Sequence, residues 1–379
     1  MPSGRALLIL GASTRAAAFS ALRAGYTPVC ADLFADADLA RLCQVTRSTR
    51  YPADLASLAR SAPDGPWMYT GALENYPALV HSIAGERPLY GNPAGVLRKV
   101  RDPFQLARIL KESGLPAPDC RATADGLAGG GWLRKSRRSS GGIHVRIWTP
   151  ALDTRQSGRD WYYQQRIEGM PCAAVYLGCG GRAWLWGATE QLLGSSSRRE
   201  GDFRYAGSIG PLHLAPAVAA QLERLGDVLA GHFALTGLFG VDGVLNSDGF
   251  WTVEINPRYT ASVEILEWAT GLSGVGAQVA ACLGRLPRGT ARAAPGRFGK
   301  AILYAPSKCT VPAHFTRGLL MMNAGRPWPA AADIPTVGTA LEAGQPVATL
   351  LADAADRQAL LAALWEQLAV WRQKLLYGS

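Results

Sequence analysis

Between residues 242 and 258 the chain carries two carboxylates, an amide and a guanidinium: Asp242, Glu254, Asn256 and Arg258. They belong to two apolar runs, Val241 to Leu245 and Phe250 to Ile255, joined by Asn246-Ser247-Asp248-Gly249, which has the composition of a hairpin turn. With so short a turn, the register that sets Asp242 opposite Glu254 also turns Asn256 to the same side, two residues further on. Three oxygen ligands then converge. A hard cation such as Mg²⁺ takes oxygen ligands of this kind, usually one or two carboxylates combined with nucleotide phosphates. Arg258 adds a forked donor for phosphoryl oxygens, and Pro257 fixes an extended exit from the strand. A hairpin whose acidic face pairs with Arg258 is the plain alternative.

A second group of residues suits phosphate. Lys135 ends one strand-like run, Ser136-Arg137-Arg138-Ser139-Ser140-Gly141-Gly142 follows, and another strand begins at Ile143. A Gly/Ser loop between adjacent strands can fold over phosphates and offer backbone N–H groups, while a strand-borne lysine neutralises charge. A basic hairpin tip in solvent would read similarly. A third segment, Tyr163-Gln164-Gln165-Arg166-Ile167-Glu168-Gly169, breaks at glycine and could read an adenine edge with its backbone groups, or be an ordinary edge strand.

The elements that must hold these groups follow from periodicity. Ala6 to Leu10 is a strand, Gly11 to Thr14 a turn and Arg15 to Ala24 a helix closed by Gly25, with Tyr26 to Cys30 the next strand. The opening is Rossmann-like, yet Gly11 stands alone where a dinucleotide fingerprint needs three glycines, so a parallel-sheet scaffold is expected instead. Helices are expected over Ala94 to Lys99, Pro103 to Ser113, Ala215 to Phe233, Val275 to Leu283 and Asp356 to Leu376. Strands are expected at Trp132 to Lys135, Ile143 to Trp148, Trp161 to Ile167, Ala173 to Leu177, Ala183 to Ala188, Lys300 to Tyr304 and Pro346 to Leu350. Phe203 to Pro211 reads as a glycine-rich loop in which Arg204 and Tyr205 are candidate substrate contacts, and Gly194 to Asp202 as a polar loop. The fold class is α/β (α+β), divided as a Rossmann-like unit over 1–97, a nucleotide-binding and catalytic unit over 98–286, and a small C-terminal module over 287–379.

Composition narrows the function classes. The 379 residues carry a net charge of +10, but the basic residues are dispersed, so anionic small molecules are expected rather than nucleic acid. No run approaches the roughly 20 apolar residues of a membrane span. Seven scattered cysteines form no C-x-x-C pair, which points to a reducing, cytoplasmic setting, and the five histidines lack metal-ligand spacing.

Taken in order, these motifs resemble the ATP-grasp superfamily of carboxylate-amine ligases. Gly91-Asn92, the helix after Asp102 and Gly114-Leu115-Pro116-Ala117-Pro118 resemble the approach to its central domain. Lys135 matches the phosphate lysine, Ser139, Ser140, Gly141 and Gly142 the flexible lid, and Gln165, Arg166 and Ile167 the adenine-reading hinge. Val241-Asp242 and Val253-Glu254-Ile255-Asn256-Pro257-Arg258 match the metal-binding strands and their trailing arginine. The resemblance implies ATP and Mg²⁺ as cofactors, with Asp242, Glu254 and Asn256 on the metal and Lys135 and Arg258 as the catalytic cations. It further implies a carboxylate activated as an acyl phosphate and joined to an amine, small-molecule partners and a homodimer. The chain departs from the pattern at Gln165, where an acid is usual, at Asp102-Pro103 in place of Asp-Lys, and at Met170-Pro171-Cys172, which lacks the acid usual after the hinge glycine. Gly299 to Pro306, Ala332 to Pro335 and Gly344-Gln345-Pro346 are similar to a branch linked to methanopterin-dependent one-carbon metabolism, which implies a role in assembling such a coenzyme. A biotin-carboxylase-like enzyme and a non-catalytic nucleotide-binding module are the alternatives.

Overall fold

The run Ala6 to Leu10 has no polar alternation, the pattern of a strand covered on both faces. In the computed structural model, which describes residues 5–127, 129–153, 160–194, 201–287 and 291–377, it is an interior strand. Strands β1 (Arg5–Gly11), β2 (Tyr26–Asp32), β3 (Gln44–Arg47) and β4 (Trp67–Tyr69) form a parallel sheet in the order β3-β2-β1-β4. Helices α1 (Arg15–Arg23), α2 (Ala37–Ala40), α3 (Leu55–Ser61) and α4 (Pro77–Glu86) fall between and after these strands. Leu7 and Ile9 share a core cluster with Ala17, Ala18 and Ala21 of α1, whereas Leu8 and Leu10 join Leu55, Leu73 and Val80 in another.

Two helices, α5 (Ala94–Val100) and α6 (Pro103–Glu112), lead onward. The unusual Asp102-Pro103 pair has a local reason: the Asp102 carboxylate accepts from the Phe104 N–H at 2.9 Å and the Gln105 N–H at 3.2 Å, and Pro103 occupies the first helical position. Next, β5 (Cys120–Arg121), β6 (Trp132–Ser136), β7 (Val145–Ile147) and β8 (Trp161–Gln165), with the short α7 (Pro150–Asp153), make an antiparallel sheet in the order β5-β8-β6-β7.

The remaining strands are β9 (Met170–Cys179), β10 (Arg182–Leu193), β11 (Tyr205–Gly210), β12 (Gly237–Asn246), β13 (Gly249–Asn256), β14 (Arg297–Tyr304), β15 (Cys309–Thr310), β16 (Ala331–Ala332), β17 (Ala340–Leu341) and β18 (Pro346–Ala354). Eight of them form one antiparallel sheet, β13-β12-β9-β10-β11-β14-β18-β16, to which the segment beyond residue 286 contributes three strands; β15 pairs with β17 separately. Helix α8 (Pro216–Phe233) covers one part of this sheet, where Tyr176 stacks on Phe239. Helices α9 (Ala261–Thr270) and α10 (Gly274–Cys282) lie between this sheet and the N-terminal layer, and α11 (Ala313–Met322) and α12 (Arg357–Tyr377) close the C-terminal core.

Two expectations need correction. Phe203 to Pro211 is not a loop throughout, since Tyr205–Gly210 is strand β11, paired on both sides. Its small residues hide the strand signal, and Gly207 is required there because a Cβ would collide with the Lys300 carbonyl. Helix α9 was not anticipated either, nor were α2, α3, α4 and α11. Ser262, Val263, Ile265, Leu266 and Ala269 are all buried, so the helix lacks the polar face that normally betrays its period, although Gly271 at φ +72 marks its end.

Helix α9 carries Glu264, which is buried and shared by two cations: both terminal nitrogens of Arg15 donate to it, and Lys300 Nζ lies at 2.8 Å. Arg15 also reaches Asp333 at 3.0 Å, and Asp38 accepts from the Asp333 and Ile334 N–H groups at 3.1 and 3.0 Å. Burial works to raise the Glu264 carboxyl, but Arg15 and Lys300 hold it well below the usual range. Replacing Glu264 by Gln leaves two buried cations short of an anion, a loss of about 3–5 kcal/mol for a broken buried pair. Urea unfolding at pH 7 should show the Glu264→Gln protein destabilised by that order; an unchanged midpoint would refute the role given to this carboxylate.

Candidate active site

The hairpin β12–β13 turns tightly, with Asn246 opposite Gly249. Counted back without interruption, that register would set Val253 opposite Asp242 and send Glu254 to the other face. A bulge intervenes: Gly243 pairs with Thr252, then Asp242 with Glu254, and Val253 is skipped. The expected facing of Asp242 and Glu254 therefore arises through an irregularity rather than through the turn. Gly243 is at the bulge because a Cβ would strike the Phe250 ring and the Trp251 carbonyl.

Both Asp242 oxygens accept from side-chain amides, Oδ1 from Gln191 Nε2 and Oδ2 from Asn256 Nδ2, each at 2.8 Å. Asn256 Nδ2 also lies 3.4 Å from Glu254 Oε1, while its Oδ1 accepts from Arg258 Nη2 at 3.3 Å. Two carboxylates and an amide N–H thus converge, rather than three oxygens, because the adjacent acids draw the donor end of the amide toward themselves. A half-turn of the amide would present its oxygen. Burial, then the charge on Glu254, pushes the Asp242 carboxyl up to about 7. Burial acts the same way on Glu254, but Lys135 and Arg101 hold its carboxyl below the ordinary value. Paired carboxylates that resist joint ionisation are suited to a divalent cation. Among the described residues no group of three His, Cys, Asp or Glu side chains is placed to hold a metal, so this site is two carboxylates and an amide.

Lys135, buried on β6, lies 3.9 Å from Glu254 Oε2 and donates to Gln164 Oε1 at 3.1 Å. Gln164 in turn donates to the Val253 carbonyl at 3.2 Å, at the bulge. These groups line a cleft of about 630 Å³ between the four-stranded antiparallel sheet and the eight-stranded one. Ser139, Ser140, Gly141 and Gly142 line it too, and the loop is docked: the Gly141 carbonyl accepts from the Tyr205 N–H at 3.1 Å, and Arg101 Nη2 donates to the Ser139 carbonyl at 3.0 Å. Gly142 sits at φ +74, and any Cβ there would collide with the Phe203 carbonyl. In the hinge, the Gln165 and Arg166 N–H groups are taken by the Asp119 and Gly131 carbonyls, which leaves the Ile167 N–H without a protein partner among the described residues.

Arg258 lines the cleft while donating to Glu74 at 2.7 Å, which ties the β12–β13 hairpin to the N-terminal layer. Tyr205 lines the cleft and is held by Ser208 at 2.6 Å. Arg204 lies elsewhere, paired with Asp202 at 2.7 Å and set over the Tyr304 ring. Arg137 packs on Phe104. Neither these two arginines nor Arg138 lines the cleft or the neighbouring cavity. That cavity, about 340 Å³, lies against the N-terminal layer and shares Ser140, Tyr205, Arg258, Thr260 and Ala261 with the cleft. The basic pair Arg198-Arg199 and the serines 195–197 lie outside the described residues.

Gln164, Gln191, Glu74 and Arg101 also bond to or act on these side chains, although none of them was among the expected site residues. Gln164 had a signal in its position beside the hinge, and Glu74 in its place in the polar loop Gly71 to Asn75 at the end of a strand, the edge of an α/β sheet where ligands dock; Gln191 and Arg101 meet the site through long-range contacts.

Residues 100–262 match the model of the ATP-grasp domain family. No curated protein matches the sequence significantly. Among solved structures, the biotin carboxylase domain dimer of Hydrogenobacter thermophilus 2-oxoglutarate carboxylase, in complex with MgADP, ADP and bicarbonate, is similar at TM-score 0.73 and 14% identity, over 97% of this chain and 93% of that one. An L-amino acid ligase from Bacillus licheniformis gives TM-score 0.72 and 15% identity over 98% of both chains. Carboxyaminoimidazole ribonucleotide synthase from Aspergillus clavatus, complexed with ATP, gives 0.71 and 16% over 99% of this chain and 100% of that one. The chain has the ATP-grasp fold.

The Asp242 shift has a measurable sign. A carboxyl raised to about 7 in the fold, against roughly 3.9 unfolded, costs the native state stability as pH climbs between those values, in full above the higher one. In metal-free buffer the Asp242→Asn protein should therefore be more stable than wild type at pH 8, by at least about 1 kcal/mol, with the difference vanishing toward pH 4. Equal urea midpoints at pH 8 would contradict the crowded pair.

Proposed function

We propose that this protein is an ATP-dependent ligase that activates a carboxylate as an acyl phosphate and couples it to an amine. The observation that carries the reading is the facing of Asp242 and Glu254 across from Lys135, in a cleft that opens at Arg258 onto a second cavity. Nucleotide would lie between the two sheets, its adenine edge at Gln165 to Ile167 and its phosphates beneath Ser139 to Gly142. Asp242, Glu254 and Asn256 would hold Mg²⁺, which supplies charge neutralisation to the phosphates when bound.

The chain's own residues then orient and shield. Lys135 stabilises charge on the transferring oxygens, and its bond to Gln164 fixes it above the hairpin. Arg258 sits at the junction of the two cavities, where a carboxylate oxygen would attack the γ-phosphorus and displace ADP. The acyl carbon is next attacked by the amine nitrogen, which loses its proton as phosphate departs. Positioning and charge neutralisation account for most of such catalysis. Structures with a similar fold include an amino acid ligase and a biotin carboxylase domain in complex with bicarbonate, so bicarbonate as the acid is the second reading. The role in one-carbon coenzyme assembly is supported by the Gly299 to Pro306 resemblance, and a cytoplasmic setting by the free state of the cysteines.

Purified protein with Mg-ATP, an acid and an amine should yield ADP, phosphate and a product one water lighter than its parts. AMP and pyrophosphate would overturn the acyl phosphate, and strict bicarbonate dependence would favour carboxylation. Glu254→Gln should lower turnover at least about 100-fold with ATP still bound, a loss of roughly 3 kcal/mol in transition-state stabilisation. Lys135→Ala should weaken ATP binding by about tenfold or more in calorimetric titration, as expected for a lost charged hydrogen bond; unchanged affinity would return Lys135 to a structural role.

A further inference from the structure

We propose that the smaller cavity contains an ammonium-binding subsite built on Asp36, and hence receives a molecule that presents a primary amine beside an apolar body. Asp36 lines the cavity and is only 7% exposed, yet its carboxylate makes no hydrogen bond or ion pair among the described residues. It stands just before α2, where an acid ordinarily caps the helix through its side chain, and here it does not. Its oxygens are open to the cavity rather than sealed in the fold, so a cationic group entering there would take the place of water as their partner.

The neighbouring charges point the same way. Asp32 is satisfied by the N–H groups of Thr14, Phe34 and Ala35 and by the Thr14 hydroxyl. Asp38 takes two backbone N–H groups, Asp333 takes Arg15 and the Thr349 hydroxyl, and Glu264 takes Arg15 and Lys300. Arg15 and Lys300 are thus committed to other acids, as Arg258 is to Glu74, and Asp36 is left with only the longer-range attraction of Arg15. Arg47 also lines the cavity but is exposed, donates to the Leu33 carbonyl and forms no ion pair among the described residues. Burial, followed by the charges of Asp333, Asp38 and Asp32, raises the Asp36 carboxyl well above its ordinary range, which a bound cation would reverse. Phe34, Ile302, Leu341 and Val347 supply the apolar wall. The site therefore suits a small amphipathic amine better than an anion. That this amine is the acceptor of the ligation rests on the ligase reading, whereas the cation subsite itself does not.

The test uses the full chain and saturation-transfer NMR with butylamine and phenethylamine, each beside its uncharged N-acetyl counterpart. Both amines should bind wild-type protein, the acetamides at least tenfold more weakly, and Asp36→Asn should lose at least tenfold in amine affinity. Mg-ADP affinity, measured by calorimetry in the same samples, should be unchanged in the variant. Acetamides that bind as well as amines, an Asp36→Asn protein that keeps its amine affinity, or no amine binding at all would each overturn the subsite. The wild-type comparison of amine with acetamide needs no variant, so a misfolded mutant cannot rescue the idea. Failure of the wild type to bind Mg-ADP would bear on the ligase reading alone.

Discussion

A guanidinium from the first helix and an ammonium from the large sheet share one carboxylate in the interior, and the wall of the smaller cavity is placed by that sharing. Glu264 takes Arg15 on one side and Lys300 on the other, with Asp333 and Asp38 extending the chain of charges to the segment after β16. Three stretches far apart in sequence are thereby fixed at one point. Such an arrangement is poor as a source of net stability compared with apolar packing, but no member can be removed singly without stranding a charge. The position of Asp36 follows directly, since the loop that bears it is pinned by the Ala37 N–H to the Ile334 carbonyl at 2.7 Å.

The cleft obeys the opposite logic. Asp242 and Glu254 face one another at a spot where Coulomb repulsion works against both being charged, and a fold selected for stability alone would place an amide at one of them. Side-chain amides from Gln191 and Asn256 restrain the pair rather than neutralise it. Local conflict of this sort is where a structure departs from its own packing rules, and it coincides with the proposed metal position.

The sequence made the hairpin, Lys135 and the Gly/Ser loop legible because each is local: a strand period, a turn signal, a glycine pair. Apolar runs such as Ala6 to Leu10 marked the parallel sheet for the same reason. Helix α9 escaped because burial on nearly all sides erased its polar face, and β11 because alanine, glycine and serine read as loop. The clamp on Glu264 and the bond from Arg258 to Glu74 were beyond reach in principle, since partners separated by hundreds of positions leave no trace in local pattern. Arg204 stood out with Tyr205 in a glycine-rich segment; its pairing with Asp202, two residues before it, is not part of that local signal.

The bulge opposite Asp242 has a mechanical side. Skipping Val253 in the ladder frees its carbonyl, and Gln164 reaches across from the smaller sheet to take it, while the other end of the same amide holds Lys135. One side chain thus links the skipped residue to the lysine. Each bond is worth about 1 kcal/mol net, weak enough to yield and strong enough to bias. The amide therefore stitches the four-stranded sheet to the eight-stranded one beside Lys135, so a displacement of one sheet against the other must carry or break these two bonds.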